Sequence, residues 1–256
     1  MLIRPRVIPC LLLNGKRLVK TIKFRDPTYL GDPINIIKIF NDKEVDELIL
    51  LDITASIEDR RPNFYLIEKI TSECFMPICY GGGIHSTDDI ERIISLGIEK
   101  IAINTYAAEN PEFIQRASDL IGSQSIVISI DVKLNWNGKY NVFIYGGRKK
   151  TNWDVVDFAH KIEIMGAGEI LINSINRDGT MKGYDTNLIK NVTHAVSIPV
   201  IACGGAGNLN DLKSSVSKGG ASAVAAGSLF VYQGRNRSVL INYPTEEEIN
   251  KLFNMV

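Results

Sequence analysis

Short β-branched runs alternate with longer segments of helical periodicity from one end of the chain to the other. The strand runs are Val7–Leu13, Glu47–Asp52, Pro77–Tyr80, Lys100–Ile103, Ser125–Val132, Glu169–Asn173, Pro199–Ala202 and Ala223–Ala226. Between and after them lie amphipathic segments near Ile34–Lys43, Asn63–Glu73, Asp88–Leu96, Glu112–Ile121, Val155–Met165, Leu188–Ala195, Leu209–Ser217 and Glu246–Met255. Helix starts are marked by Ser86 three residues before Asp89, by Pro111, and by Thr245 three residues before Glu248. Gly97, Gly166 and Gly219 follow helical runs as stop signals. Eight strands alternating with eight helices predict an α/β chain folded as a (β/α)8 TIM barrel, one domain over residues 1–256. A doubly wound open sheet is the competing arrangement; it usually places GxGxxG after the first strand, where this chain has IPCLLLNG.

An internal repeat strengthens the barrel. Glu47 in DELILLD matches Glu169 in GEILINS, and Pro77 in MPICYGGG matches Pro199 in IPVIACGG. Gly82 pairs with Gly204 and Gly97 with Gly219, every match at the same offset of 122 residues. One match at a fixed offset is an accident of periodicity; four imply two repeated (βα)4 halves.

Composition narrows the functional classes. With 29 Lys+Arg against 29 Asp+Glu, the formal net charge is zero, so no global field draws the chain to nucleic acid or an anionic membrane. At 45% hydrophobic residues the chain has ample core and is not disordered. The longest uncharged stretch, Gly219 to Gly234, is broken by glycines and does not read as a membrane span. The opening MLIRPRVIPC does not read as a signal peptide. Cys10, Cys74, Cys79 and Cys203 are scattered without a CxxC, so reduced thiols in a cytoplasmic protein are expected. His85, His160 and His194 stand apart from any ligand pattern, and neither metal nor organic cofactor is expected.

Barrel chemistry sits where the strands end. Gly81-Gly82-Gly83 follows the third strand and Gly204-Gly205 the seventh, beside Asn104-Thr105 and Gly227-Ser228 after the fourth and eighth. Glycines there let backbone N–H groups approach a phosphate; equally, they make tight turns. Halves related by about 180° would set two such sites across the mouth, suiting a phosphorylated small molecule with an anion at each end. Asp52, Asp131 and Asp178 crowd the space between them. β alternation puts Val127, Ser129 and Asp131 on one face, where an acid ending an apolar strand either transfers protons or braces a loop. Lys20 either approaches a phosphate or is solvated. At the opposite end, Arg6, Glu47, Lys100 and Glu169 begin strands one, two, four and six. Counting by two from Lys100 reaches Asn104 and from Glu169 reaches Asn173, so if those asparagines face the pocket the four charges face inward at the floor. They then close a ring of ion pairs; the alternative is that each is separately solvated.

These residues resemble a family. IPCLLLNGKRLVK, DELILLDITAS, YGGGIH, EKIAINT, IDVK, GAGEILINSINRDGTMKGYD and ACGGAG are similar to the cyclase subunit of imidazole glycerol phosphate synthase, from Arg6 to Ser228. The related isomerase of the same pathway is also a duplicated barrel, but DITAS, INRDGT and the entrance charges favour the cyclase. The resemblance implies a (β/α)8 barrel docked through its N-terminal face to a glutaminase, whose ammonia crosses the barrel axis to a bisphosphate nucleotide in histidine biosynthesis. It implies an ammonia gate of Arg6, Glu47, Lys100 and Glu169, and a catalytic Asp131. It implies substrate or phosphate contacts at Lys20, Gly83, Asn104, Asp178, Gly179 and Gly205. Asp52, Gly82, Thr105, Asn173, Gly204 and Gly227 join this group from their places at the strand ends.

The pattern breaks at one acid. The family reads IPCLD in the first strand, whereas this chain has Leu12 at the final position. Ring closure in that family uses two aspartates, and leucine transfers no proton. Gly146 and Gly227 also stand where the family commonly has serines. A diverged branch, associated with sugar amidation in surface-polysaccharide pathways, fits a chain that keeps the nitrogen route but has lost half of the ring-closing pair. Three functions stay open: a conduit supplying ammonia to a sugar-amidating enzyme, a working histidine cyclase, and a scaffold that only activates a glutaminase.

Overall fold

The computed structural model describes residues 4–234 and 236–254. Met255, the expected end of the last helix, and the outer limits of the 1–256 unit lie outside them. Eight parallel strands form the barrel: β1 (Arg6–Asn14), β2 (Leu48–Asp52), β3 (Ile78–Gly81), β4 (Lys100–Ile103), β5 (Ile126–Leu134), β6 (Glu169–Ser174), β7 (Val200–Cys203) and β8 (Ala223–Ala226). Each pairs with the next, and β8 returns to β1 through Arg6 opposite Ala223, which closes the sheet. The helices are α1 (Pro33–Asp42), α2 (Phe64–Thr71), α3 (Thr87–Ser95), α4 (Glu112–Ile121), α5 (Val155–Ile164), α6 (Thr186–Thr193), α7 (Leu209–Ser217) and α8 (Glu246–Leu252).

Two apolar layers hold this together. Outward residues of the strands pack against the helices, as Leu11, Leu13, Leu48 and Leu50 do against Ile37, Phe40 and Ile67. A second cluster fills the barrel itself, with Ile8, Cys10 and Leu12 from β1, Ile49, Cys79, Ala102, Val127, Leu171, Ile201 and Ala223. The alternating residues of each strand therefore separate cleanly into lumen and outer core.

The duplication is visible in the backbone. α1, α2 and α3 begin and end 122 residues before α5, α6 and α7, and so does β3 before β7. Their N-caps recur at the same offset: Asp32 and Asp154, Asn63 and Asp185, Ser86 and Asn208. After α7 the second half gains one residue. Gly220, at φ 75°, is the counterpart of Gly97 at φ 94°, while Gly219, without a positive φ, sits close against Ser215 O. The expected pairing of Gly97 with Gly219 is thus one position short in space.

Two hairpins were not anticipated. Arg17–Ile22 folds back on β1 and pairs with Arg25–Gly31, and Tyr140–Ile144 folds back on β5 and pairs with Lys149–Asp154. Both stand on the C-terminal side of the barrel and wall its mouth. Short helices at Thr105–Glu109 and Ser228–Val231 follow β4 and β8.

Candidate active site at the barrel mouth

The strand ends surround a cavity of about 250 Å³ that runs down the axis as far as Cys10, Leu51 and Ala102. Each expected mouth residue lines it: Lys20, Asp52, Gly82, Gly83, Asn104, Thr105, Asp131, Asn173, Asp178, Gly179, Gly204, Gly205 and Gly227. The hairpins add Thr21, Phe24 and Arg148, which the reading of eight strands had no means to place.

The glycine loops have close-approach geometry on both sides. A Cβ on Gly83, at φ 74°, would lie 2.3 Å from Arg60 O, and one on Gly205, at φ 118°, 2.3 Å from Gly183 O. These glycines make the turns, and the same turns bring bare backbone to the cavity. Beside the first loop, Asn104 donates to Ser129 O at 2.8 Å, and Thr105 Oγ1 accepts from Tyr145 N at 3.1 Å. Beside the second, Ser228 is buried and its Oγ has no hydrogen-bond partner among the described residues. The Oδ1 of Asn173, buried beside Gly204, is likewise without one. Such orphaned polar atoms are costly unless a ligand or water satisfies them.

The acids differ in kind. Asp52 Oδ1 accepts from Thr54 N, Thr54 Oγ1 and Ala55 N, each at 3.1 Å, and Arg60 approaches its Oδ2 at 3.3 Å. Asp52 therefore braces the loop after β2. Asp178 accepts from Lys20 Nζ at 2.9 Å and from Thr21 Oγ1 at 3.0 Å. Lys20 is buried in that pair, not solvated, and its Cε lies 3.0 Å from where a Cβ on Gly227 would stand. The Lys20–Asp178 pair thus ties the first hairpin to the loop after β6, with the Lys20 stem packed against Gly227 after β8. Asp131 has no such cation among the described residues. Burial first, then the charge of Asp178, push its carboxyl up to about 7, with the facing Asn173 side chain pulling the other way. An acid there holds or releases a proton near neutral pH.

Strand register locates the counterpart of Asp131. Asp131 pairs with Asn173 on β6, and Asn173 lies 122 residues after Leu51, which pairs with Leu12 on β1. Leu12 is therefore the position equivalent to Asp131, four strands around the barrel, and it lines the same cavity with 9% of its surface exposed. One wall carries a titratable acid with Ser129 and Asn173; the other carries Leu12, Leu51 and Ile53.

At the floor, the four strand-entrance charges form a closed ring. Arg6 donates to Glu47 and to Glu169, and Lys100 reaches Glu47 Oε2 at 3.2 Å and Glu169 Oε2 at 3.1 Å. The glutamates are buried, while Arg6 and Lys100 keep a third and a fifth of their side chains exposed. Opposite charges alternate around the ring, which makes this burial tolerable. Among the described residues no group of three or more His, Cys, Asp or Glu could hold a metal ion, and no helix is long and apolar enough to cross a membrane.

The fold and site together make a duplicated (β/α)8 barrel with paired glycine loops at its mouth and a charged ring at its floor. The histidine biosynthesis protein family matches residues 6–236, and the chain belongs to it, within the imidazole glycerol phosphate synthase cyclase-subunit group. It is 52% identical to the provisionally named imidazole glycerol phosphate synthase subunit hisF2 of Pseudomonas aeruginosa, over 98% of this chain and 99% of that protein. It is 48% identical to a provisionally named HisF subunit of Leptospira borgpetersenii, over 98% and 100%. The HisF subunit of imidazole glycerol phosphate synthase from Alkaliphilus metalliredigens is 43% identical over 90% and 92%.

Proposed function

We propose that this chain is the synthase half of a glutamine-dependent amidotransferase pair: it takes ammonia from a glutaminase at the barrel floor and passes it along the axis to the mouth. There it no longer closes the imidazole ring of histidine biosynthesis but supplies ammonia to an enzyme that amidates a sugar for surface polysaccharide. The setting is the cytoplasm. The observation carrying this reading is the pairing of an intact floor ring with Leu12 at the site equivalent to Asp131. A general acid–base partner contributes about 10²–10⁴ in rate, and no other carboxyl on that wall replaces it, since Asp52 is held by its loop.

The second reading, a working histidine cyclase, is favoured by one observation: a carboxyl near pH 7 can serve in turn as acid and as base. Purified chain supplied with ammonium and the bisphosphate nucleotide separates the two. Negligible formation of imidazole glycerol phosphate, together with a stable complex with a glutaminase of its own organism, is the expected result. Robust turnover overturns the proposal. Blocking the axis with Ala102→Trp then distinguishes conduit from scaffold, since sugar amidation by the assembled enzymes stops only if ammonia travels through the barrel.

A further inference from the structure

The internal duplication makes each half a control for the other, and at the mouth the two hairpins part in what they cover. Lys23 and Tyr145 are equivalent at the 122-residue offset and share a left-handed backbone, φ 53° in each. Thr105 and Ser228 are equivalent in turn, each the second residue after its strand, β4 and β8. In the second hairpin Tyr145 N donates to Thr105 Oγ1 at 3.1 Å, and that hydroxyl donates to Asn104 Oδ1 at 3.3 Å. In the first hairpin Lys23 N donates instead to Asp178 O at 2.9 Å. The Ser228 hydroxyl, on a residue 4% exposed, is left without a partner among the described residues. One turn, used twice, closes the first glycine loop and leaves the second open.

The closed side is latched. Tyr145 Oη donates to Glu109 at 3.1 Å, Lys149 Nζ donates to the same carboxylate at 3.0 Å, and Trp153 Nε1 donates to Ala108 O at 3.1 Å. The first hairpin has Lys23, Pro27 and Gly31 at the places of Tyr145, Lys149 and Trp153, and no such latch. The walls differ in the same sense. Leu51, Ile57 and Ile84 line the cavity on the first side, where Asn173, Gly179 and Ala206 line it on the second. A Cβ on Gly146 would stand 3.1 Å from Ile57 Cδ1, so the turn of the second hairpin lies on that apolar wall. An anion stripped of water there, beside a threonine hydroxyl already engaged, is costly. On the second side the Ser228 hydroxyl, the bare backbone of Gly205 and the Lys20 ammonium line one end of the cavity. Lys20 donates to Thr21 O and Asp178, which leaves one of its three donors for a ligand. Asn173 Oδ1, the other orphan, accepts from a hydroxyl or N–H and suits no anion.

We propose that the mouth takes a one-ended ligand, a phosphate monoester with an uncharged body. Its single phosphate meets Ser228, Gly205 and Lys20; its body offers a hydroxyl or N–H to Asn173 and rests on Leu12, Leu51 and Ile53. The two equal anion sites implied by the glycine repeats thus become one site and one closed loop. This names the ligand class of the mouth described above, and rests on the function proposed there in one respect: the histidine cyclase needs both ends of a bisphosphate held.

The test is titration of the full-length chain with inorganic phosphate, followed by calorimetry and by the backbone amide resonances of the glycine loops. One phosphate per chain is expected, moving the amides of Gly205, Gly227 and Ser228 and leaving those of Gly83 and Thr105 in place. Ser228→Ala is expected to raise Kd about tenfold, the worth of a hydrogen bond to a charged group. Its melting temperature should be unchanged or higher, since the hydroxyl removed bonds nothing in the free chain. Two phosphates per chain, movement at Gly83, a Ser228→Ala chain that binds as wild type does, or no binding by about 30 mM phosphate would each overturn the inference. Two bound phosphates without turnover of the bisphosphate nucleotide would sink the one-ended mouth alone and leave the ammonia route standing. Turnover of that nucleotide would sink both.

Discussion

Replacing Asp131 by asparagine isolates a mouth carboxyl that burial and a neighbouring acid push up. In the folded chain it titrates near 7 against an ordinary value of 3.8. Between those values the folded state holds a proton that the unfolded chain has released, so stability falls as pH rises through this window. Below about 4 both states are protonated and nothing is lost; above about 7 the penalty is complete. At about 1.4 kcal/mol per tenfold change in proton affinity, the full penalty approaches roughly 4 kcal/mol. The cavity opens to solvent, which brings the working range to about 2–4 kcal/mol. Asp131→Asn removes the charge while keeping the shape, so it should match wild type near pH 4 and exceed it by that margin at pH 8. Urea unfolding across this range reads the difference as a midpoint gap opening to about 1 M. Adding Asp178→Asn should shrink the gap, because the Asp178 charge is the second cause of the raised value. A gap that stays constant from pH 4 to pH 8 would refute the reasoning.

Leu12→Asp restores an acid to the wall opposite Asp131 and should raise ammonium-dependent formation of imidazole glycerol phosphate by about 10²–10⁴; product formation measured by chromatography decides, and no rise means the lost acid is not the reason for lost ring closure. Arg6→Met leaves two buried glutamates facing Lys100 alone and should cost about 2–4 kcal/mol in urea unfolding; a change under about 0.5 kcal/mol would mean the ring is not cohesive. Gly83→Ala forces a methyl to 2.3 Å from Arg60 O at φ 74° and should destabilise by more than about 3 kcal/mol, whereas Gly15→Ala, at φ 61° with nothing within 4 Å, should cost only about 1. Equal melting temperatures for the two variants would show that the positive φ they share, not the close approach at Gly83, sets the cost.

Much of the frame was legible because short-range physics writes it. α4 and α7 fall where the periodicity put them, and Ser86 and Thr245 cap their helices as their spacing implied. α6 begins two residues before the expected Leu188 because Asp185 accepts from Leu188 N, a cap the pattern did not reveal. The hairpins were missed although Asn14-Gly15 and Asn137-Gly138 are turn signals; counting eight strands absorbed the alternation on either side of them. Strand parity was enough to foresee the floor ring and the inward face of Asp131. It could not foresee the Lys20–Asp178 pair, whose members are 158 residues apart and meet only once a hairpin folds over the mouth. Nor could it find the orphaned Ser228 hydroxyl, which becomes informative only when its neighbours are known.

The two halves also show what the fold demands and what the chemistry chooses. Where backbone geometry rules, the halves agree: Gly82 with Gly204, Gly83 with Gly205, and Asp89 with Asp211, each accepting bonds at the start of its helix. Where a side chain lines the cavity or stands exposed on the floor rim, they differ: Leu12 against Asp131, Glu44 against Gly166, Phe75 against Ser197. None of the three differences repairs packing, since Leu12 and Asp131 both line an open cavity and Glu44 and Phe75 sit in solvent. A duplicated barrel under structural constraint alone has no reason to break its symmetry at these places while keeping it in the turns between them. The asymmetry at the mouth is one of cavity lining and that at the floor one of exposed surface. The two can be lost separately, because the residues that carry them stand at opposite ends of the strands.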